Sequence, residues 1–295
     1  MDVIKEKRRS HLLKHIKLSG RGLEIGPYSR PTVTKDESEI YYLDFKTREQ
    51  LTRECADIEN IDKIPETDYI VSTNAYEENI SDKFDYIIAN HVIEHVPNPI
   101  MWLNMLRGML NNHGILFLAI PDKKHTFDRY RDDTPVSHIL FDYYSGVTDI
   151  SHEHALEIHV YYDNEFVGKE QNMDIILNSN NIMATMSSPP HIGIHCHVFQ
   201  CETFLRKILF PLMKIGLIHY ELIEFVPTNE NYGGEFYVIL KKCSELEYIY
   251  ITPEDFYFHY PIINNHDQKT KKLDTTSPTE SNSIFKKMYK KFLHF

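Results

Sequence analysis

Seventeen of the 295 residues are histidine, and several fall where a proton could be moved. His91 follows the apolar run FDYIIAN. His125 opens HTFDRYR, His152 and His154 lie in ISHEH, and His191, His195 and His197 lie in HIGIHCH. Imidazole titrates near neutral pH, so it can take a proton from a hydroxyl placed within about 2.6–3.2 Å. Three uses are open for the paired sequences. His195 and His197 alternate on one strand face and, with His152 or His154 nearby, could hold zinc or iron. One or two of the rings could serve as a base or orient a substrate. They could equally be structural, hydrogen-bonded within a cap. The sequence assigns no metal. As bases the order is His195 or His197, then His152 or His154, then His125, while His91 is the one histidine of residues 20–120 placed to act. His95 reads as structural, because Glu94-His95 begins the turn into a helix. Cys196, between two histidines, points to the opposite strand face and is a poor ligand.

A second constellation suits a ligand that carries a ribose. In LEIGPYSRP a strand ends at Gly26, where the absence of a Cβ lets the backbone turn sharply and approach a ligand. Glu24 can fix the loop that Pro27 begins, or hold an ammonium group. Asp44 ends the next strand, where an acid accepts hydrogen bonds from both ribose hydroxyls. Asn90 and His91 end the fourth strand and border the same ligand. A NAD-binding domain uses similar logic, but GPYSR lacks the G-x-G-x-x-G that seats a pyrophosphate. Asp122, Lys123, Arg129 and Arg131 follow the fifth strand; they suit an anionic acceptor or form a solvated loop.

These residues need a frame. Strands are predicted at 21–26, 39–45, 67–73, 84–90 and 115–120, the last apolar on both faces as in a covered parallel sheet. A helix fits 98–111, with Asn98 as N-cap and Pro99 in the first turn, closed by the turn Asn111-Asn112-His113-Gly114. A short amphipathic helix fits the N-terminus, and another is expected near 134–144. A helix over 201–215 is interrupted by Pro211, and closing strands fit 217–226 and 235–242. Alternating strands and helices predict an α/β, doubly wound, mostly parallel sheet of Rossmann-like type, with an antiparallel closing strand. The expected organisation is one domain over 1–262, divided into a cofactor half (20–121), a His-rich cap (122–200) and closing elements (201–242). A polar linker (263–283) and a basic amphipathic tail helix (284–295) follow.

The segment FDYIIANHVIEHVPNPIMWLNMLRGMLNNHGILFLAIPD resembles the small-molecule class I S-adenosylmethionine-dependent methyltransferases, through Phe84, Asp85, Glu94, His95, Gly114, Pro121 and Asp122. The likeness covers residues 20–130, and HTFDRYR with IHCHVFQCETF is similar to bacterial members with a His-rich second half. The resemblance implies that S-adenosylmethionine is the cofactor, with its methionine portion near Gly26 and its ribose on Asp44. It places Asn74 and Ala75 beside adenine and His91 facing the methyl group. S-adenosylmethionine has no pyrophosphate, so it needs no Rossmann glycine loop. The chain departs from the family at Pro27-Tyr28, where many relatives have a second glycine, and at Asn74, an amide in place of a carboxylate.

The implied reaction is methyl transfer to an oxygen of a small molecule or cell-surface glycan precursor, assisted by a histidine base. Two alternatives are a cofactor-binding scaffold subunit without turnover and a NAD-linked oxidoreductase. The formal charge of −11 argues against nucleic acid as partner. The four cysteines make no CxxC pair and read as the reduced thiols of a cytosolic protein. No run is long and apolar enough to span a membrane. Residues 268–295 carry a net +5, against −16 for the rest. With Phe285, Met288 and Phe292 on one helical face, the tail suggests peripheral contact at the inner face of a membrane.

Overall fold

The apolar runs form the centre of the sheet. β1 (Gly22–Ile25) is buried throughout, β4 (Phe84–Asn90) nearly so, and β5 (Leu110–Pro121) is buried from Gly114 onward. β2 (Ile40–Asp44) and β3 (Tyr69–Ile70) continue one side; β6 (Tyr220–Val226) and β7 (Glu235–Lys242) complete the other. The computed structural model describes residues 3–54, 61–71, 79–161, 194–229 and 233–243. Asn74, Ala75, His191, the linker over 263–283 and the tail over 284–295 lie outside the described residues, as do residues 162–193 of the expected cap.

Among the described residues the sheet has seven strands in the order β3-β2-β1-β4-β5-β7-β6. β1, β2, β3, β4 and β5 pair in parallel, and β7 runs antiparallel to both β5 and β6. This is the mostly parallel, Rossmann-like arrangement expected. One core layer joins Leu12 of α1 (Val3–Leu12) to Tyr42, Ile88, Phe117 and Tyr237. Each large apolar side chain buried there contributes about 1.5–3 kcal/mol. α2 (Arg48–Glu54) follows β2. α3 (Pro99–Met109) begins where the cap chemistry placed it, for the Asn98 side chain accepts from Met101 N at 3.1 Å.

Two expectations change in detail. The turn at 111–114 does not separate α3 from the fifth strand. β5 starts at Leu110, and the turn is absorbed as a bulge, with Phe84 opposite Leu110 but Tyr86 opposite Ile115. His113, at φ 63°, takes the left-handed conformation the bulge requires. Pro211 likewise does not break its helix. A π-helical turn, Leu205–Leu209, joins Cys201–Phe204 to Phe210–Lys214, and Phe210 N bonds back to Leu205 O. The wider turn absorbs the register that a proline without N–H would disrupt, so the run, α6, continues to Lys214.

The His-rich region contributes α4 (Val136–Tyr144), α5 (His152–Tyr161) and an extended segment, 194–200. That segment is tied down by His197 N to Glu94 O at 3.0 Å, by reciprocal bonds between Val198 and Thr134, and by Lys123 N to Phe199 O at 2.9 Å. It lies against the turn that follows β4.

Candidate active site

The strand order reverses between β1 and β4, and such a switch point opens a crevice at the carboxyl ends of the strands. Glu24, wholly buried on β1, accepts from Thr32 N and Thr32 Oγ1 at 2.8–2.9 Å and from Asn90 Nδ2 at 3.1 Å. These bonds tie the end of β1 to the loop at Thr32. Burial pushes the Glu24 carboxyl up to about 7 against these donors. Beyond it Gly26 has φ +58°, and among the described residues a Cβ there would meet only Val92, 3.8 Å away. Pro27 and Tyr28, the latter also left-handed at φ 50°, line a shallow cleft together with Asp44, Leu51, Ile64 and Thr67. Asp44 Oδ1 accepts from Phe45 N at 2.8 Å and Lys46 N at 3.3 Å. Burial raises its carboxyl above the usual aspartate range. An acid at the end of β2, beside the loop after Gly26, is the side chain here that could hold ribose hydroxyls.

A cluster of charged and imidazole side chains converges after β4. His91 stands at φ 53°, and its Nε2 is 2.7 Å from Glu235 Oε2. Arg8 of α1 grips the same carboxylate through Nε and Nη2, at 2.8 and 2.5 Å. Burial alone would raise Glu235; Arg8 and His91 reverse this and hold it at about 2. Glu94 is 1% exposed, and among the described residues no other residue gives its carboxylate oxygens a hydrogen bond. Its Oε1 is 3.8 Å from both His91 Nδ1 and His95 Nε2, and burial pushes it up to about 7. His95 Nδ1 meets Ile194 O at 2.9 Å, and burial, with His195 next, drives His95 down to about 4. His195 packs edge-on against His95, with ring centroids 4.7 Å apart. Its Nδ1 lies 2.5 Å from Asp128 Oδ2. Arg131 braces the pair, bonding Asp128 Oδ1 at 2.9 Å and His195 O at 2.8 Å.

The remaining predicted residues lie elsewhere. Asp122 accepts from Lys124 N and Thr228 Oγ1. Lys123 bonds Arg131 O and pairs with Asp133 at 3.2 Å. Arg131 is buried with its donors on Asp128, His195 O and Glu157, so it acts as a strut. Arg129 stacks over Tyr130. His125 sits in the 3-10 turn Lys123–His125 against Gly234. His152 is exposed on the first turn of α5. His154 and His197 are fully buried and face His138 and Asp142 of α4. Cys196 points away from them, its Sγ donating to His95 O, and burial raises its thiol to about 12. The sequence reading did not find Arg8, Asp128 or Glu235, and it left Glu94 and His95 without a role in the site. Asp128 was open to detection, three residues from Arg131 within HTFDRYR.

The profile of a family described as a methyltransferase domain matches residues 3–166. Among solved structures the chain is similar to an S-adenosylmethionine-dependent methyltransferase from Clostridium acetobutylicum ATCC 824, at 7% identity and TM-score 0.44, over 82% of this chain and 92% of that one. It is similar to one from Methanosarcina mazei at 15% identity and TM-score 0.41, over 79% and 96%. It also resembles the N-methyltransferase NodS from Bradyrhizobium japonicum WM9, in complex with S-adenosyl-L-homocysteine, at 10% identity and TM-score 0.40, over 81% and 87%. No curated protein matches. The family match spans more than half of the chain, and the chain belongs to the methyltransferase domain family.

Proposed function

We propose that this methyltransferase acts on an oxygen of a small molecule or glycan precursor, with His195 as general base. The observation that carries the reading is the Asp128–His195 pair at 2.5 Å, braced by Arg131 and set beside Glu94 and His95. S-adenosylmethionine, when bound, supplies an electrophilic methyl carbon. Asp44 would accept the ribose hydroxyls, and the loop after Gly26 would border the methionine portion. The Asp128 carboxylate accepts a hydrogen bond from Nδ1–H of His195, which fixes the tautomer whose Nε2 is unprotonated and able to accept the proton of an acceptor hydroxyl. Arg131 keeps Asp128 ionised; burial of that carboxyl acts the other way, but His195 and Arg131 prevail and lower it. Glu94, buried beside His195, lies where an imidazolium would form and would stabilise it. The family match leaves no place for the oxidoreductase reading that shares the ribose-binding acid.

The test is release of S-adenosylhomocysteine across a panel of hydroxylated acceptors. His195→Ala is expected to lose about 10²–10⁴-fold in turnover while keeping its affinity for the donor. Asp44→Ala is expected to do the reverse, weakening donor affinity about tenfold or more, as loss of a charge-assisted bond of about 1.5–3 kcal/mol requires. Full turnover in His195→Ala sinks the base assignment.

A further inference from the structure

Away from that pair, four side chains from three different elements converge on one buried point. His138 and Asp142 lie four residues apart, on one face of α4. His154 comes from the first turn of α5, and His197 from the 194–200 segment. His138 Nε2 is 3.2 Å from His154 Nε2. Asp142 Oδ2 is 3.3 Å from His138 Nε2, 3.6 Å from His154 Nε2 and 3.8 Å from His197 Nε2. All four atoms lie within 4.8 Å of one another. Bonds of about 2.0–2.1 Å to a tetrahedral zinc ion put its ligand atoms about 3.3 Å apart, so the cluster is already near the required size. We propose that His138, Asp142, His154 and His197 bind a single divalent transition metal ion, zinc by preference, in a closed structural site.

The alternative is a network of protons, and it is poorly balanced. Asp142 Oδ2 is buried and has no hydrogen-bond partner among the described residues, and a buried carboxylate without compensation is costly. The Nε2 atoms of His138 and His154 cannot both carry protons at 3.2 Å. An ion uses all four lone pairs and cancels the carboxylate charge. Three imidazoles with one carboxylate suit zinc among the borderline metals. Part of an outer shell is present. His154 Nδ1 is held by Ser151, whose amide N–H donates to it at 3.2 Å and whose Oγ lies 3.1 Å away. Glu157 Oε1 is 3.7 Å from His138 Nδ1. Such partners orient ligating rings. His197 Nε2 has only a long contact, 3.4 Å to Pro97 O, to give up. His195, two residues before His197, belongs to the other cluster, so the HCH sequence divides between the two sites. The ion would tie α4 and α5 to the segment that carries His195.

The experiment is elemental analysis of the full chain purified without a histidine tag, followed by chelation and titration with zinc alone. Near-equimolar zinc is expected. The stripped protein should regain thermal stability as zinc is added, and cobalt in its place should give the visible absorption of a tetrahedral site. His154→Ala and Asp142→Asn should weaken zinc binding by more than the about 10–100-fold that loss of an outer-shell partner causes. His195→Ala should keep it. If the two variants fail to fold, zinc titration and the cobalt spectrum of the unaltered chain decide. The proposal is overturned if that chain holds no transition metal and shows neither a zinc-dependent shift nor a cobalt spectrum. Metal lost in His195→Ala but kept in His154→Ala also overturns it, for the ion would then sit at Glu94, His95 and His195.

Discussion

Glu235 binds three parts of the molecule through one carboxylate: Arg8 of the first helix, His91 beyond β4, and its own strand, β7. Its folded-state value of about 2 lies below the ordinary 4.5. The sign follows from proton counts: between these values the unfolded chain binds a proton that the folded chain does not. The stabilisation is therefore complete above about pH 4.5 and is lost as pH falls through 2, with a ceiling of about 3 kcal/mol. Arg8→Met removes the main partner and leaves a buried charge, at a cost of about 3–5 kcal/mol at pH 7. Urea unfolding should show that gap narrowing at pH 3, where the variant's carboxyl is protonated, and largely closed at pH 7 in Arg8→Met/Glu235→Gln. A gap of equal size at both pH values would show that Arg8 acts by packing alone.

At the scale of elements, the start of β7 rests on the turn that leaves β5. Gly234 has φ +65°, and a Cβ there would lie 2.4 Å from the Cβ of His125. Gly234→Ala must therefore both adopt a left-handed conformation, at about 1–2 kcal/mol, and push the 3-10 turn aside. The expected result is a lower urea midpoint, partly restored by adding His125→Gly; an unchanged midpoint would show that the turn moves freely. The strands were legible because each is a short apolar run bounded by turn residues, and β4 and β5 are covered on both faces. The cap on α3 was legible because Asn-Pro is a local signal. The partners of the site were not, since Arg8 and Glu235 are 227 residues apart and Asp128 and His195 are 67 apart. No local periodicity reports such pairings. The four-residue step from His138 to Asp142 was visible but gains meaning only when α5 and the 194–200 segment arrive beside it. Lys123 and Arg131 read from sequence as charges open to a substrate, because sequence does not show that Asp128, Asp133 and Glu157 take up their donors.

For the whole molecule, charge is unevenly spread: net +5 over residues 268–295 and −16 elsewhere. Among the described residues no helix is long and apolar enough to cross a membrane. We propose that Lys286, Lys287, Lys290 and Lys291 draw the tail to anionic lipid, at about 1 kcal/mol per cation near the surface. The full chain should sediment with phosphatidylserine vesicles at low salt and be released at high salt, and deletion of 284–295 should abolish this while leaving donor affinity intact. Failure of the full chain to sediment at low salt refutes the proposal. The placement of β7 between β5 and β6 also bears on how the chain is made. A ribosome releases the N-terminal half first, so β5, with its apolar stretch Ile115–Ile120, emerges as an unpaired edge and waits more than a hundred residues for its neighbour. β6 emerges earlier than β7 and, among the described residues, pairs only with it, so the two join the sheet as a pair once β7 is made. Until then the nascent sheet offers a template for pairing with other chains, and Glu235 has not yet reached Arg8 and His91. The enzyme is thus completed only after most of it has been synthesised, and its vulnerable interval is the delay between β5 and β7.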